Sequence, residues 1–318
     1  MQESQLNRQK RWSGRKSGQE LYLHEKVKCI NFDKVDTFSF QKTIALLGYA
    51  CDEGVKRNQG RTGASEGPNA IRKPLGKMPN HLDADTRLLD LGPIECLDQD
   101  METAQAILSE KVLLLLTKKV FPIILGGGHD IAYGHYTGIR KHLGKTKTIG
   151  IINFDAHFDL RSNALGNNSG TPFYQIAQDC KEEGLPFKYL CLGIRKDANN
   201  RMLFQTAKDL GAGYIENEHF NLHHWTKIKG QLQQFINEAD HMYCTIDLDG
   251  FSSAYAPGVS APSPMGFSPE VVLKCLKLIL DSKKLISMDV AETNPIYDID
   301  NQTAKLAASL VYFVINEL

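Results

Sequence analysis

The chain has 318 residues, 42% of them hydrophobic and 23% charged, and its 37 Lys+Arg balance 37 Asp+Glu to no net charge. That length and composition suit one enzyme-sized folded unit with a substantial core, and the charge balance leaves no electrostatic footprint for nucleic acid or an anionic membrane. The 7 cysteines form no Cys-x-x-Cys pair, which argues against a zinc knuckle or disulfide framework and for free thiols in a reducing cytoplasm.

The N-terminal arm, residues 1–42, opens with a polar, basic stretch that is neither a secretory signal nor a membrane anchor. No later run reaches the roughly 18 apolar residues of a spanning helix. Thr43 to Ala50 is an apolar run expected to form a buried parallel strand. Cys51 to Pro68 reads as a glycine-rich loop carrying Arg57 and Arg61, ending in a capped helix start at Ser65-Glu66-Gly67-Pro68 before a helix from Asn69 to Gly76. Strand-like runs then follow at Arg87 to Gly92, Val120 to Leu125, Thr148 to Phe154, Lys188 to Leu192, near Tyr214, Met242 to Leu248 and Lys284 to Val290. Helical patterns alternate with them at Met101 to Lys119, Ala132 to Leu143, Pro172 to Lys181, Asn200 to Leu210, Trp225 to Ala239, Pro269 to Leu280 and Gln302 to Asn316. This alternation predicts an α/β fold, a mainly parallel sheet of about eight strands with helices on both faces, and no linker divides the chain. Ligands in such sheets bind beyond the carboxyl ends of the strands.

Four polar groups stand where apolar runs stop: His129 after Gly126-Gly127-Gly128, the set Asp155, His157 and Asp159, the pair Asp247 and Asp249, and Glu292. In an extended segment, side chains at i, i+2 and i+4 project to one side, so each set can converge without a turn. Taken singly, each also fits a solvated strand end or a structural turn. Together, two histidines and four aspartates from three strand ends suit a pair of hard divalent ions such as manganese better than a thiolate-rich zinc site. Two such ions can share a hydroxide that is nucleophilic at neutral pH. The glycines are read as turn and close-packing residues that let His129 reach inward, and the run lacks the Gly-Lys-Ser/Thr of a nucleotide loop.

The segments Gly-Gly-Gly-His129, Asp155-Ala-His157-Phe-Asp159, Asp247-Leu-Asp249 and Glu292-Thr-Asn-Pro295 resemble the four signature segments of the ureohydrolases, the arginase and agmatinase family. The resemblance implies the three-layer arginase-like fold and two Mn2+ ions bound by His129, Asp155, His157, Asp159, Asp247 and Asp249. It also implies that Asp159 holds a bridging hydroxide. Glu292 would pair with the substrate's amidinium. Further stretches are similar to the formimidoylglutamase branch of that family: Trp12-Ser-Gly-Arg15, Cys51 to Arg61, Ala132-Tyr-Gly-His-Tyr136, Phe158-Asp-Leu-Arg161, Ser169-Gly-Thr-Pro-Phe-Tyr174 and Tyr255 to Pro262. That branch implies hydrolysis of N-formimidoyl-L-glutamate to L-glutamate and formamide in histidine degradation, with an agmatinase or other guanidino hydrolase as the alternative.

A dicarboxylate substrate needs cationic partners. Arg161, two residues past Asp159, is the leading candidate, because a guanidinium can hold a carboxylate through two parallel hydrogen bonds. Arg57, Arg61 and Arg195 are further candidates in strand-following loops, where solvated charge is the competing reading. Arginases and agmatinases place a histidine before the Gly-x-Pro turn, whereas this chain has Ser169 there, so the proton donor to the departing amine is unassigned. His135, six positions after His129, falls on another helical face and reads as structural. The expected partners are a small-molecule substrate and other copies of the chain in a homo-oligomer.

Overall fold

Nine parallel strands form one sheet in the computed structural model, which describes residues 9–35 and 42–318; residues 1–8 and 36–41, both parts of the expected arm, lie outside the described residues. The strands are β1 (Lys28–Cys29), β2 (Lys42–Ala50), β3 (Thr86–Glu95), β4 (Phe121–Leu125), β5 (Ile149–Phe154), β6 (Lys188–Ile194), β7 (Gly213–Glu216), β8 (His241–Asp247) and β9 (Leu285–Ala291). Their spatial order is β1-β3-β2-β4-β9-β8-β5-β6-β7. The helices are α1 (Leu23–Lys26), α2 (Glu53–Arg57), α3 (Gly67–Gly76), α4 (Met101–Thr117), α5 (Ile131–Leu143), α6 (Pro172–Glu182), α7 (Arg201–Asp209), α8 (Trp225–Asn237), α9 (Pro269–Asp281) and α10 (Gln302–Glu317).

The central strands are buried on both faces, as their continuous apolar runs require, and the two-residue period divides each run between two cores. Leu46, Leu125, Phe154 and Ile246 belong to one core, while Leu47, Ile124, Ile151 and Tyr243 belong to the other. The second core also holds the inner faces of α5 and α6. Register completes the positioning. Phe154 pairs with Ile246, Ile246 with Val290 and Val290 with Leu125. Hence β5, β8, β9 and β4 reach the same level in mid-sheet, and the next residues along them are Asp155, Asp247, Ala291 and Gly126.

Two expectations need correction. Cys51 to Pro68 is not all loop, since α2 and a 3-10 turn at Ala64–Glu66 interrupt it. Ser65 does not cap α3; its hydroxyl reaches Asp52 at 3.3 Å instead. Pro68 starts that helix where a missing N–H costs nothing. The arm, in turn, is more than a polar extension. Leu23 is fully buried and β1 pairs with β3, which accounts for the strand that the expected eight omit. The Trp12 indole N–H donates to Asp90 Oδ2 at 2.7 Å, while Arg72 of α3 holds both oxygens of Asp90 at 3.0 and 2.8 Å. Burial alone would raise the Asp90 carboxyl, but Arg72 and Trp12 outweigh it and hold it below the usual carboxylate range.

Candidate metal centre

The turn after β4 admits only glycine at its closest points. A Cβ on Gly127 would lie 1.9 Å from the Cys51 carbonyl oxygen, and one on Gly126 would lie 2.7 Å from that of Val290. Gly128 N–H donates to Cys51 O at 2.8 Å. This close seating against β2 and β9 delivers His129 to the level strand ends, as its glycines led us to expect.

The acids converge differently from the extended geometry expected of them. Strand β5 stops at Phe154 and β8 at Asp247. Beyond them, Asp155 Oδ1 accepts from the His157 backbone N–H at 2.7 Å, and Asp247 Oδ1 accepts from that of Asp249 at 2.8 Å. An aspartate can hydrogen-bond the backbone two residues on and so close a turn in place of extended chain. Asp159 (φ 49°) and Glu292 (φ 65°) both adopt left-handed backbone, a costly conformation for non-glycine residues that clusters at functional sites.

Three carboxylate oxygens surround one nitrogen: His129 Nδ1 lies 2.8 Å from Asp159, 3.0 Å from Asp247 and 3.2 Å from Asp155. His157 Nδ1 lies 3.2 Å from Asp249 and 3.5 Å from Asp155. An imidazole nitrogen carries at most one proton, so it cannot satisfy three acceptors. His129 Nδ1, Asp249 Oδ1 and Glu292 Oε2 are all buried without a hydrogen-bond partner. His129, Asp155, Asp159 and Asp247 form one group able to hold a cation, and Asp155, His157 and Asp249 form a second.

The protein's own charges are unbalanced here. Burial, then the charge of Asp155, pushes Asp159 up to about 6. Burial, then Asp247, raises Asp249 well above the carboxylate range, and Glu292 is raised well above it by burial and by Asp247 and Asp249. Burial would lower His129 and His157, but Asp247 beside the first and Asp249 beside the second, with Asp155 near both, hold each well above its ordinary value. Asp155 is the exception. Burial would raise it, yet the close approach of both histidines keeps it below its usual range. An excess of buried acceptors with oxygen and imidazole donors fits a hard divalent cation such as Mn2+.

A cavity of about 320 Å³ opens over this cluster, and all the expected metal ligands except the deeper Asp155 line it, as does Glu292. Arg161 lines it too, and its guanidinium has no carboxylate partner among the described residues. Arg61 reaches the rim, but its guanidinium donates to the carbonyls of Ser260 and Val259 at 2.9 and 2.6 Å and stacks on Tyr297 at 3.9 Å. Arg57 and Arg195 do not line the cavity. Arg57 pairs with Glu102 at 2.7 Å and Glu53 at 3.3 Å, and Arg195 grips Asp197 at 3.0 and 2.5 Å. Nearby carboxylates pair with both cations, so the structure does not bring them to the cavity beside Arg161. Ser169 lines the cavity beside Asn58, whose amide donates to its hydroxyl at 3.2 Å. Asn58, Gln59 and Ser260 are lining residues that sequence reasoning did not single out. Thr245 and Asn153, each two residues before a ligand, were also passed over, although alternation places them on the ligand side.

The arginase-family model matches residues 42–315, and the chain belongs to the arginase family. Within that family it is similar to a formimidoylglutamase of Clostridium tetani, with 40% identity over 96% of this chain and 94% of the relative. The solved formimidoylglutamase of Bacillus subtilis shares the fold with a TM-score of 0.83, at 23% identity and over 96% and 94% of the two chains. A formiminoglutamase variant of Trypanosoma cruzi crystallised with Mn2+ is 25% identical with a TM-score of 0.76, over 88% of this chain and 96% of that one.

Proposed function

We propose that this chain hydrolyses N-formimidoyl-L-glutamate to L-glutamate and formamide in histidine degradation. Two Mn2+ ions are assigned to the overlapping groups His129, Asp155, Asp159, Asp247 and Asp155, His157, Asp249. The observation that carries the reading is Arg161, a cation without a carboxylate partner among the described residues, in the same cavity as an acidic cluster. Full-length similarity to the Clostridium tetani relative supports the same substrate.

Bound at this cluster, Mn2+ would supply Lewis acidity and a water nucleophilic at neutral pH. The chain's own residues divide the remaining work. Glu292 Oε1 accepts from the His129 backbone N–H at 3.0 Å, which leaves Oε2 to accept an N–H of the formimidoyl group and fix the carbon to be attacked. Asp159 lines the cavity within the first of these groups and offers a carboxylate oxygen to a proton released there. Arg161 offers a planar fork to a glutamate carboxylate. Gly170 seats it, because a Cβ there would come within 2.9 Å of Arg161 Cδ. The 7 free cysteines support a reducing, cytoplasmic setting.

A guanidino hydrolase such as an agmatinase would bring a cationic tail toward Arg161 and Arg61, which like-charge repulsion opposes. Turnover of formimidoylglutamate, agmatine and arginine with added Mn2+, assayed for formamide and urea, tests the reading. Formamide from the first substrate alone is expected; urea from agmatine without formamide overturns it.

A further inference from the structure

Behind His129, on the side away from the cavity, lies a buried polar chain that the proposed reaction does not use. His129 Nε2 is 2.9 Å from Thr245 Oγ1, and Thr245 Oγ1 donates to Asp289 Oδ1 at 2.5 Å. Asp289 Oδ2 also accepts from the Tyr243 hydroxyl and lies 2.6 Å from His135 Nδ1. His135 Nε2 is 2.6 Å from Ser287 Oγ, whose own proton goes to the Pro122 carbonyl at 3.0 Å. His129 is 1% exposed and Thr245, Asp289, His135, Ser287 and Tyr243 are 0% exposed, so no solvent can substitute for a missing partner.

The direction of each hydrogen bond follows from counting protons. The Ser287 hydroxyl is spent on Pro122, so it accepts from His135 Nε2. On the other side of Asp289, the carboxylate takes the Thr245 hydroxyl proton at Oδ1. A hydroxyl has one proton, so Thr245 accepts from His129 Nε2–H. A proton of His129 is thereby fixed on Nε2, and Nδ1, which faces the oxygens of Asp155, Asp159 and Asp247, is the nitrogen left to bind a cation.

We propose that Thr245 and Asp289 are positioning residues that lock His129 in the tautomer able to bind Mn2+, and so set the affinity of the ion held by Nδ1. The inference rests on the Mn2+ reading above. Outer partners of a ligating histidine fix its tautomer and orientation, and their loss typically lowers metal affinity about 10- to 100-fold.

The test is Mn2+ binding to chelator-stripped protein, measured by calorimetry and by the paramagnetic signal of free Mn2+, with the histidine tautomer read from ¹⁵N imidazole shifts. Thr245→Val keeps the shape and removes the hydroxyl; it should weaken binding of one ion by about 10- to 100-fold, while Thr245→Ser restores it. Asp289→Asn supplies a second variant. Its amide can donate to Thr245, which reverses the chain, moves the His129 proton to Nδ1 and again weakens one ion. Wild-type affinity and an unchanged His129 tautomer in Thr245→Val or Asp289→Asn overturn the positioning role alone. A wild-type protein that binds no Mn2+ overturns the metal reading along with it.

Discussion

Two of the buried clusters of charge in this molecule are built on opposite principles. Around Asp90, one carboxylate meets four donors, the Trp12 indole, two nitrogens of Arg72 and the Gly92 backbone N–H. Only Arg72 Nη1 is left without a hydrogen bond there among the described residues. At the ends of β4, β5, β8 and β9, four aspartates and Glu292 meet two imidazoles and a few backbone N–H groups, and acceptors are left over. Asp155 and Asp247 are buried much as Asp90 is, although His157 and Asp159 reach the cavity, so burial alone does not separate the two. The balance of donors and acceptors does: a matched set closes the fold on itself, and a surplus of one sign holds a place for something else.

The largest effect that can break this comparison comes from removing a ligand. Asp247→Ala should forfeit several kcal/mol of metal-derived stabilisation of the transition state, on the order of 10³-fold in turnover, and lower the bound Mn2+ measured by elemental analysis. The same change should leave the metal-free protein as stable as before or more so, since it deletes a like charge beside Asp249 and Glu292. A cluster built like that of Asp90 would instead be destabilised.

Arg72→Met probes the matched cluster. It strands Asp90 in a dry site and should cost about 3–5 kcal/mol in urea unfolding, while kcat and Mn2+ content per folded molecule stay constant. A stability loss below about 1 kcal/mol would show that the pairing does not hold the arm and α3 to the sheet.

The pH dependence of stability separates the clusters without mutation. Asp159 is raised by burial and by Asp155 to about 6, and Asp249 is raised well above the carboxylate range by burial and Asp247, so the folded chain binds their protons more tightly than the unfolded chain, where an aspartate titrates near 3.9. The stabilisation is full below that unfolded value and is lost as pH rises through the raised values. His129 and His157, also raised, contribute with the same sign. Metal-free protein should therefore melt at falling temperature from about pH 5 to about pH 7.5, and Mn2+ should remove most of that slope. A flat profile without metal would mean that the surplus of acidic groups is not felt.

Arg161→Ala should have a smaller and narrower effect. Loss of a charged hydrogen-bond donor pair of about 1.5–3 kcal/mol should raise KM for formimidoylglutamate about 10- to 100-fold, with little change in Mn2+ content. An unchanged KM would remove Arg161 from the substrate's path.

Much of this was legible in the sequence because apolar runs and their ends are local features. Alternating strand and helix patterns gave the parallel sheet, and the polar residue just past each run gave every expected member of the cation groups. Two features escaped for physical reasons. The turns that gather Asp155 to Asp159 depend on carboxylates bonding backbone two residues ahead, a choice that an i, i+2 pattern shares with extended chain. Which arginines stay free depends on side-chain pairing that the pattern does not encode: the distant Glu102 claims Arg57, and Asp197, two residues along, claims Arg195. The long-range pairing of Trp12 with Asp90, 78 positions apart, has no local signature at all.

That pairing also gives the molecule an optical handle. The chain has 2 tryptophans; Trp12 is 4% exposed with its indole N–H fixed to a carboxylate, and Trp225 is half-buried on α8. Trp12 should emit at short wavelength while the arm is docked and shift to the red when it lifts away. Arm release can then be timed by light, in the absence of substrate and metal, and set against the loss of the sheet.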